Sequence, residues 1–364
     1  MLLKHFGCCR FLFNWGLAQK TQAWQESKKR LSRYDLDKQL PKLKKQPETE
    51  WLSEVNSQAL QQSLVQLELA FDKFFKEKKG YPRFKSKHGP QNFSCPQNVK
   101  VSETSISLPK IGAVRAVISR LFEGQIKTVT VSRTATGQYF ASVLVEDGRE
   151  LPASKKHTEK TTVGIDVGLK HFATLSNGEK IENPRPLKRK LSRLKREQRR
   201  LSRKQKGSKN RRKQRLKVAR VHEQVANSRK DFLHNVSTRL IRENQAVALE
   251  TLNIQGMLKN RKLAHHMADV GWGMFFEFSK YKAVWNGKTI LQIGQWQPSS
   301  KQSLCGYVNA DLKLSDRLWT CPQCARTYDR DIQAAQNIKR FALHPENFVP
   351  QDMREVRLVE VGVG

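Results

Sequence analysis

Along residues 57–80, SQALQQSLVQLELAFDKFFKEKKG, apolar side chains recur every three or four positions, at Leu60, Leu64, Leu67, Phe71, Phe74 and Phe75. Gln, Lys and Glu fill the gaps, which is the pattern of an amphipathic helix with one core face. Gly80 and Pro82 supply its stop. The first eighty or so residues read as helical throughout. From about residue 92 to 160 the pattern shortens to alternation. SISLPKIG, KTVTVSRT and QYFASVLVE place apolar and polar residues in turn, with turn signals such as TGQ between them, and predict a small antiparallel barrel or sheet. Lys155, Lys156 and Lys160 mark a polar linker. TTVGIDVGLKHFATLSNG then predicts two adjacent strands with a tight connection, Val163, Ile165 and Val167 facing one way. A long stretch over 187–245 keeps an approximate helical period through Leu187, Leu191, Leu194 and Leu201, and Gly207-Ser208 breaks it into two helices. AVALE and KTILQIG read as strands, GMFFEFSKYKAVW as a helix, and DIQAAQNI as a helix opening at Asp331. The tail PENFVPQDMREVRLVEVGVG carries little pattern and is expected to be loosely ordered.

Composition changes this picture in one respect. The chain has 364 residues, 38% of them hydrophobic, enough for two or three domains with a real core. Its 68 Lys and Arg against 33 acids give a net charge of +35. Such an excess repels itself unless a polyanion is the usual partner, and nucleic acid is the obvious one. No segment approaches the roughly eighteen consecutive apolar residues of a spanning helix, so no membrane partner is expected. MLLKHFGCCRFLF lacks the continuous apolar stretch and cleavage site of a signal peptide. The six cysteines form no evenly spaced disulfide framework, which fits a reducing cytoplasm. Within the basic stretch, Lys188, Arg189, Lys190, Arg193, Arg196, Arg199, Arg200, Arg203, Arg211 and Arg212 are candidate phosphate contacts, because its first half has almost no acids. In YPRFKSK, Tyr81, Arg83 and Lys85 combine stacking and phosphate contact, although a solvated loop explains that segment nearly as well.

Three acids stand apart: Asp166 in GIDVG, Glu250 in AVALETLNI and Asp331 in YDRDIQAAQNI. Each lies at the edge of an apolar or small-residue run, where a packed element would hold it rigidly. Taken singly, strand-end acids are ordinary surface residues. Their separations of about 80 residues mean that only a folded sheet unites them. Three converging carboxylates in so basic a chain suit hard divalent cations, Mg²⁺ or Mn²⁺, for phosphodiester cleavage. Strand, strand and helix start, in that order, match the metal-binding logic of RNase H-like nucleases.

GIDVG, LE-x-LNI, PSSK…CG…LSDRLWTCPQC and YDRDIQAAQNI together resemble TnpB, the OrfB-type accessory transposase of bacterial insertion sequences. HFGCCRFLFNWGL, AFDKFFKEKKGYPRFKSK, LPKIG and YKAVWNGK agree, so the resemblance runs from about residue 4 to 340. It implies an RNA-guided DNA endonuclease related to type V CRISPR effectors, acting with a guide RNA from the transposon end on double-stranded target DNA. It also implies a multidomain chain of mixed α+β and α/β class. Its expected parts are a helical recognition lobe over 1–90, a wedge-like β-barrel over 91–160 and an RNase H-like (RuvC) nuclease domain over 161–345. The nuclease domain would carry a basic helical insertion at 187–245 and a zinc-ribbon-like insertion at 298–327, with a tail at 346–364. On this resemblance Asp166, Glu250 and Asp331 take the three metal-binding catalytic positions, Asp329 being a neighbouring decoy. The protein would be cytoplasmic and associate with the nucleoid when bound to DNA.

Two departures from the family pattern qualify this. The family's ribbon carries two CxxC pairs, whose four thiolates close a tetrahedral zinc site. Here Cys321 and Cys324 form one pair, but the other is reduced to Cys305, with Gln302 in the place of its partner. No histidine lies between Gln297 and Tyr328. Zn²⁺ would be held by three thiolates with water or Asp311 as the fourth ligand; the competing reading is a knuckle packed around Leu312, Leu314 and Trp319. Relatives also carry a basic strand ahead of the HFGCCR phrase, so a barrel edge is expected to be exposed here, as in a truncated or decayed copy. Beside guided cleavage, two readings stay open: a cleavage-impaired guided DNA-binding protein, and a conventional transposase that joins strands. Cys8, Cys9 and Cys95 read as packed cysteines, and the loop-like His265-His266 pair is assigned no role.

Overall fold

A computed structural model describes residues 1–260, 264–295, 297–313 and 315–345. The predicted tail beyond Pro345, and Leu314 of the predicted knuckle, lie outside the described residues. The chain divides into two compact units, Met1–Arg149 and Glu150–Gly364.

In the first unit, α1 (Leu2–Ser27), α2 (Arg33–Leu43), a 3₁₀ turn (Glu50–Glu54) and α3 (Ser57–Lys76) share one core. Leu12, Leu17, Leu36, Leu52, Leu60, Leu64 and Leu67 are almost wholly buried within it. Asn56 starts α3 by accepting the Ala59 N–H at 2.9 Å. The helix stops at Lys76, before the Gly80 predicted from sequence, because Lys78 turns left-handed at φ 52°. Phe75 is a correction: it is 58% exposed on the helix flank, outside the core face its spacing suggested.

Six strands follow: β1 (Gln91–Cys95), β2 (Lys100–Val101), β3 (Ser105–Leu108), β4 (Gly112–Arg115), β5 (Gln125–Arg133) and β6 (Tyr139–Glu146). They pair as two antiparallel sheets, β1-β5-β6 and β2-β3-β4. Among the described residues no pairing joins these sheets into the closed ring of a barrel, because strands of two to four residues cannot extend a ladder around one. Cys8, Cys9 and Cys95 are buried thiols, which burial pushes up to about 11, 12 and 11.

The second unit is built on a five-stranded sheet of β7 (Thr162–Val167), β8 (His171–Leu175), β9 (Lys180–Glu182), β10 (Ala246–Glu250) and β11 (Thr289–Ile293), in the order β11-β10-β7-β8-β9. β7, β8 and β9 form an antiparallel meander, whereas β10 runs parallel to both β7 and β11. Parallel neighbours require long crossovers. The basic helices α4 (Pro186–Ser202) and α5 (Lys209–Glu243) connect β9 to β10. α6 (Ile254–Met257), α7 (Ala264–Val270) and α8 (Trp272–Trp285) connect β10 to β11. His265 and His266 therefore lie in helix α7, not in a loop, with rings 3.8 Å apart. β12 (Leu318–Thr320), β13 (Thr327–Asp329) and α9 (Arg330–Leu343) complete the unit.

Strand alternation divides the sheet between two cores. Val163, Ile165, Val247 and Leu249 face α5 and α8, packing with Phe172, Leu233 and Phe275. Ala246, Ala248, Leu291 and Ile293 face α9, packing with Ile338 and Phe341. Gly164 lies under α9 at a very short approach: a Cβ there would fall 2.1 Å from the Ala335 carbonyl oxygen. Only glycine allows the helix so near the sheet. No described helix is long and apolar enough to cross a membrane.

Candidate active site

Ile165 pairs with Leu249 across the parallel strands β7 and β10. The next residue on each strand is Asp166 and Glu250, so the two acids sit side by side at neighbouring carboxyl ends. By alternation they share the sheet face of Gly164 and Ala248, the face that α9 covers. Asp331, the second residue of α9, is brought to the same end. Three acids far apart in sequence are thus brought to one end of the sheet, near enough for the charges of Glu250 and Asp331 to act on Asp166, at the carboxyl ends of parallel strands where open α/β sheets hold their ligands.

Their electrostatics record the crowding. Burial, then the charges of Glu250 and Asp331, push the Asp166 carboxyl up to about 8, with Arg330 and Arg317 pulling the other way. Burial alone pushes Glu250 up to about 7. Asp331 is held by Arg317, whose guanidinium donates to its two carboxylate oxygens at 3.0 and 3.4 Å. Asp329 has a different task. Its Oδ1 caps α9 by accepting the N–H groups of Asp331 and Ile332 at 3.0 and 3.2 Å, and its Oδ2 pairs with Lys180 at 2.6 Å. Burial would raise the Asp329 carboxyl, but the Lys180 and backbone bonds outweigh it and hold the group below its ordinary range. Carboxylate oxygens are the donors a hard divalent cation prefers, but those of Asp166, Glu250 and Asp331 do not all lie within 4.8 Å of one another, and Asp331 leans on a guanidinium instead.

A second cluster lies in the β12–β13 hairpin. Cys321 and Cys324 sit in its turn and Cys305 in the preceding loop, their sulfurs all within 4.8 Å of one another. Cys305 Sγ is 3.6 Å from Cys321 Sγ and 2.8 Å from Ser303 Oγ, and Cys324 Sγ is 3.5 Å from the Tyr328 hydroxyl. Against the raising effect of burial, hydrogen bonds from Ser303, from the Cys324 and Gln323 backbone and from Cys305 pull the Cys321 thiol down to about 6. A spacing below 4.8 Å fits three thiolates around one zinc ion. Asp311, one of the two expected fourth ligands beside water, is not in the cluster. The Gln302 amide is engaged with backbone, donating to the Gly306 carbonyl at 3.2 Å. The hairpin is also packed around Leu312, Trp319 and Tyr328, so thiol cluster and apolar knuckle coexist.

The basic positions fall into two groups. Lys188, Arg189, Arg193, Arg196, Arg199, Arg200, Arg203 and Arg212 are exposed, and Lys190 is half-buried. Arg211 is occupied: its guanidinium donates to the Leu201 and Lys204 carbonyls at 2.7 and 2.8 Å, ending α4. In the first unit Tyr81 and Arg83 are exposed, but the Lys85 ammonium lies 3.9 Å from the Phe13 ring centroid, and burial lowers its pKa. Sequence reasoning passed over Arg317, Gly164, Ser303 and Lys180. Only Gly164 left a signal, a glycine inside an apolar strand.

Comparison with known proteins adds to this geometry. Residues 141–261 match the family described as Probable transposase (OrfB_IS605), and residues 272–338 match a Cas12f1-like TNB domain. Residues 1–29, which match a helix-turn-helix domain, are here the single helix α1 and the two residues after it. A protein of Streptomyces pristinaespiralis, named as an RNA-guided DNA endonuclease, is 41% identical over 93% of the chain and 84% of its own length. InsQ of Escherichia coli K12, named likewise, is 33% identical over 91% of the chain and 86% of its own length. The protein in a cryo-EM structure of a Cas12f1–sgRNA–target DNA complex superposes with a TM-score of 0.59, at 14% identity, over 93% of this chain and 81% of that one. At that identity what is shared is the fold.

Proposed function

Because the chain belongs to the OrfB_IS605 family, whose relatives are named as RNA-guided DNA endonucleases, we propose that it is an RNA-guided DNA endonuclease. Its site would be the RuvC-like set Asp166, Glu250 and Asp331. The observation that carries this reading is the placement of Asp166 and Glu250, each one residue beyond the Ile165–Leu249 pair of neighbouring parallel strands, with Asp331 near enough to act on Asp166. The meander-plus-two-parallel order of the sheet is that expected of an RNase H-like domain. Guide pairing would read sequence, while exposed Lys and Arg of α4 and α5 hold phosphates. The helices and sheets of Met1–Arg149 would form the recognition lobe and wedge.

Divalent Mg²⁺ or Mn²⁺, when bound, would supply the activation of water and the neutralisation of charge on the leaving oxygen. The chain's own residues do the rest. Asp166 and Glu250 would hold the cation as carboxylates, and because burial raises both groups its binding would compete with protons there. Asp331 would be the third oxygen donor, and the Arg317 guanidinium now paired with it would be at hand for a phosphate oxygen. Asp329 and Lys180 stay outside the reaction and fix where α9 begins.

The direct test combines purified protein, its co-purifying RNA and Mg²⁺ with a matched target duplex. Cutting is expected only with all three. Cutting that survives removal of the RNA would sink the guided reading, and joined products would favour strand transfer. Tight binding without cutting would favour the cleavage-impaired reading, the one to which the three-thiol ribbon points.

For the ribbon we expect about one zinc per chain in metal analysis, lost in Cys321→Ser, because the three clustered sulfurs supply three of the four ligands a tetrahedral site needs and the variant leaves two. Unchanged zinc content in Cys321→Ser would place the ion elsewhere.

A further inference from the structure

The basic helix α4 has no side-chain cap of its own. Its N-cap, Arg185, is left-handed at φ 44° and makes no side-chain capping bond. The acceptor comes instead from Asp269, at the end of α7. That carboxylate takes the Leu187 N–H on its two oxygens at 3.0 and 3.1 Å, and the Lys188 N–H at 3.4 Å. Asp269 is 6% exposed. Arg229 of α5 holds it in place, donating from Nε to its backbone carbonyl at 2.7 Å and from a terminal nitrogen to its Oδ1 at 3.1 Å. One buried carboxylate therefore ties both basic helices to the segment that leaves the Glu250 strand.

The other side of the same helix start is tied as well. Arg185 donates to the Leu169 and Lys170 carbonyls at 3.2 and 3.3 Å, and Asn183 donates to Leu169 at 2.9 Å. Leu169 and Lys170 form the turn just after the Asp166 strand. The origin of α4 is thus pinned to the chain leaving both strand-end acids, while its remaining length projects exposed Lys and Arg.

We propose that Asp269 is a positioning residue, which fixes the direction of α4 so that its basic face presents phosphate contacts in register with the acidic site. A helix N-terminus needs an acceptor for its free N–H groups, and an anion there also complements the helix dipole. A neighbouring element that supplies this acceptor sets the helix direction as well as its stability. The role rests on the reading of α4 as a nucleic-acid-facing helix.

The test compares wild type, Asp269→Ala, Asp269→Asn and Arg229→Gln, all as full chains. Amide exchange is read at Leu187 and Lys188, and affinity for the co-purifying RNA is read as a function of salt. Asp269→Ala is expected to lose protection at both amides by at least ~10-fold. It should also bind RNA ~10-fold more weakly, with a shallower salt slope, because fewer phosphates are neutralised together. Asp269→Asn keeps an acceptor oxygen and should stay near wild type in both readouts, a rescue that general destabilisation would not produce. Arg229→Gln cuts the tie to α5 but leaves the cap, and should weaken RNA binding with protection at Leu187 retained. Wild-type affinity and slope in whichever of Asp269→Ala and Arg229→Gln folds would overturn the proposal, as would unchanged protection in a folded Asp269→Ala. If the guided-nuclease reading itself fails, wild type binds RNA without cutting, and both of these readouts still decide the role of Asp269.

Discussion

Asp166→Ala is expected to cut a matched target at least ~10³-fold more slowly than wild type, the order lost when one member of a catalytic unit is removed. Affinity for RNA is expected to stay within about twofold, because Asp166 is an acid at a strand end and not one of the exposed Lys and Arg that would hold phosphates. Cutting within tenfold of wild type would remove Asp166 from the chemistry. The milder Asp166→Asn separates two effects of the same side chain. In the metal-free protein the Asp166 carboxyl is raised from 3.8 to about 8 and that of Glu250 from 4.5 to about 7. A raised acid favours the fold while it is neutral. That contribution is complete below its unfolded value and is lost as pH climbs through the folded one. Metal-free protein should therefore melt at lower temperature near pH 8.5 than near pH 5.5, and Mg²⁺ should restore more at the higher pH. Asp166→Asn should flatten the pH dependence and raise the metal-free melting temperature near pH 8.5, while abolishing cutting. Thermal unfolding in chelator across that range checks the sign. A metal-free melting temperature that rises with pH would contradict the burial of these acids.

Gly164→Ala carries the second large effect. The added Cβ would overlap the Ala335 carbonyl oxygen at 2.1 Å and approach the Lys339 backbone nitrogen at 2.8 Å. Both are backbone atoms of α9, or attached to it, so no side-chain rotation relieves the clash and the helix itself must move. Overpacking of this kind costs about 1–3 kcal/mol. The displaced helix carries Asp331, and a misplacement near 1 Å costs on the order of 10²-fold in rate. We expect a folded but destabilised protein that still binds RNA and cuts about 10²-fold more slowly. Full activity in Gly164→Ala would mean that the position of α9 on the sheet does not set the position of Asp331.

The strands and helices of the second unit were legible because their patterns are strong and uninterrupted. Val163 and Ile165 alternate with glycine and acid, and AVALE ends on its charge. The first unit was legible in its helices but less so at their ends. Phe75 follows the helical period yet lies outside the core, since a period states which face a residue takes and not how far the neighbouring helix reaches. Alternation gave the antiparallel strands and could not say whether they close, because closure depends on pairing partners. Lys85 and Arg211 looked like free cations. Phe13 occupies the one and the Leu201 and Lys204 carbonyls the other, through contacts that no local pattern records.

By itself the sequence determined the list of acids, their order and the basic character of the helices between them, which follow from local context, where residue type and neighbours suffice. The choice of Asp331 over Asp329 came from the resemblance to the family's motif. Tertiary structure decided which acids stand side by side, that Asp331 arrives on a helix admitted by Gly164, and that Arg317 reaches it from the ribbon. It also decided that Asp311 stays away from the thiols and that Asp269 caps a helix about eighty residues earlier in the chain. The reason is physical: such relations depend on strand register and helix packing, which are set by burial summed over both faces of the sheet.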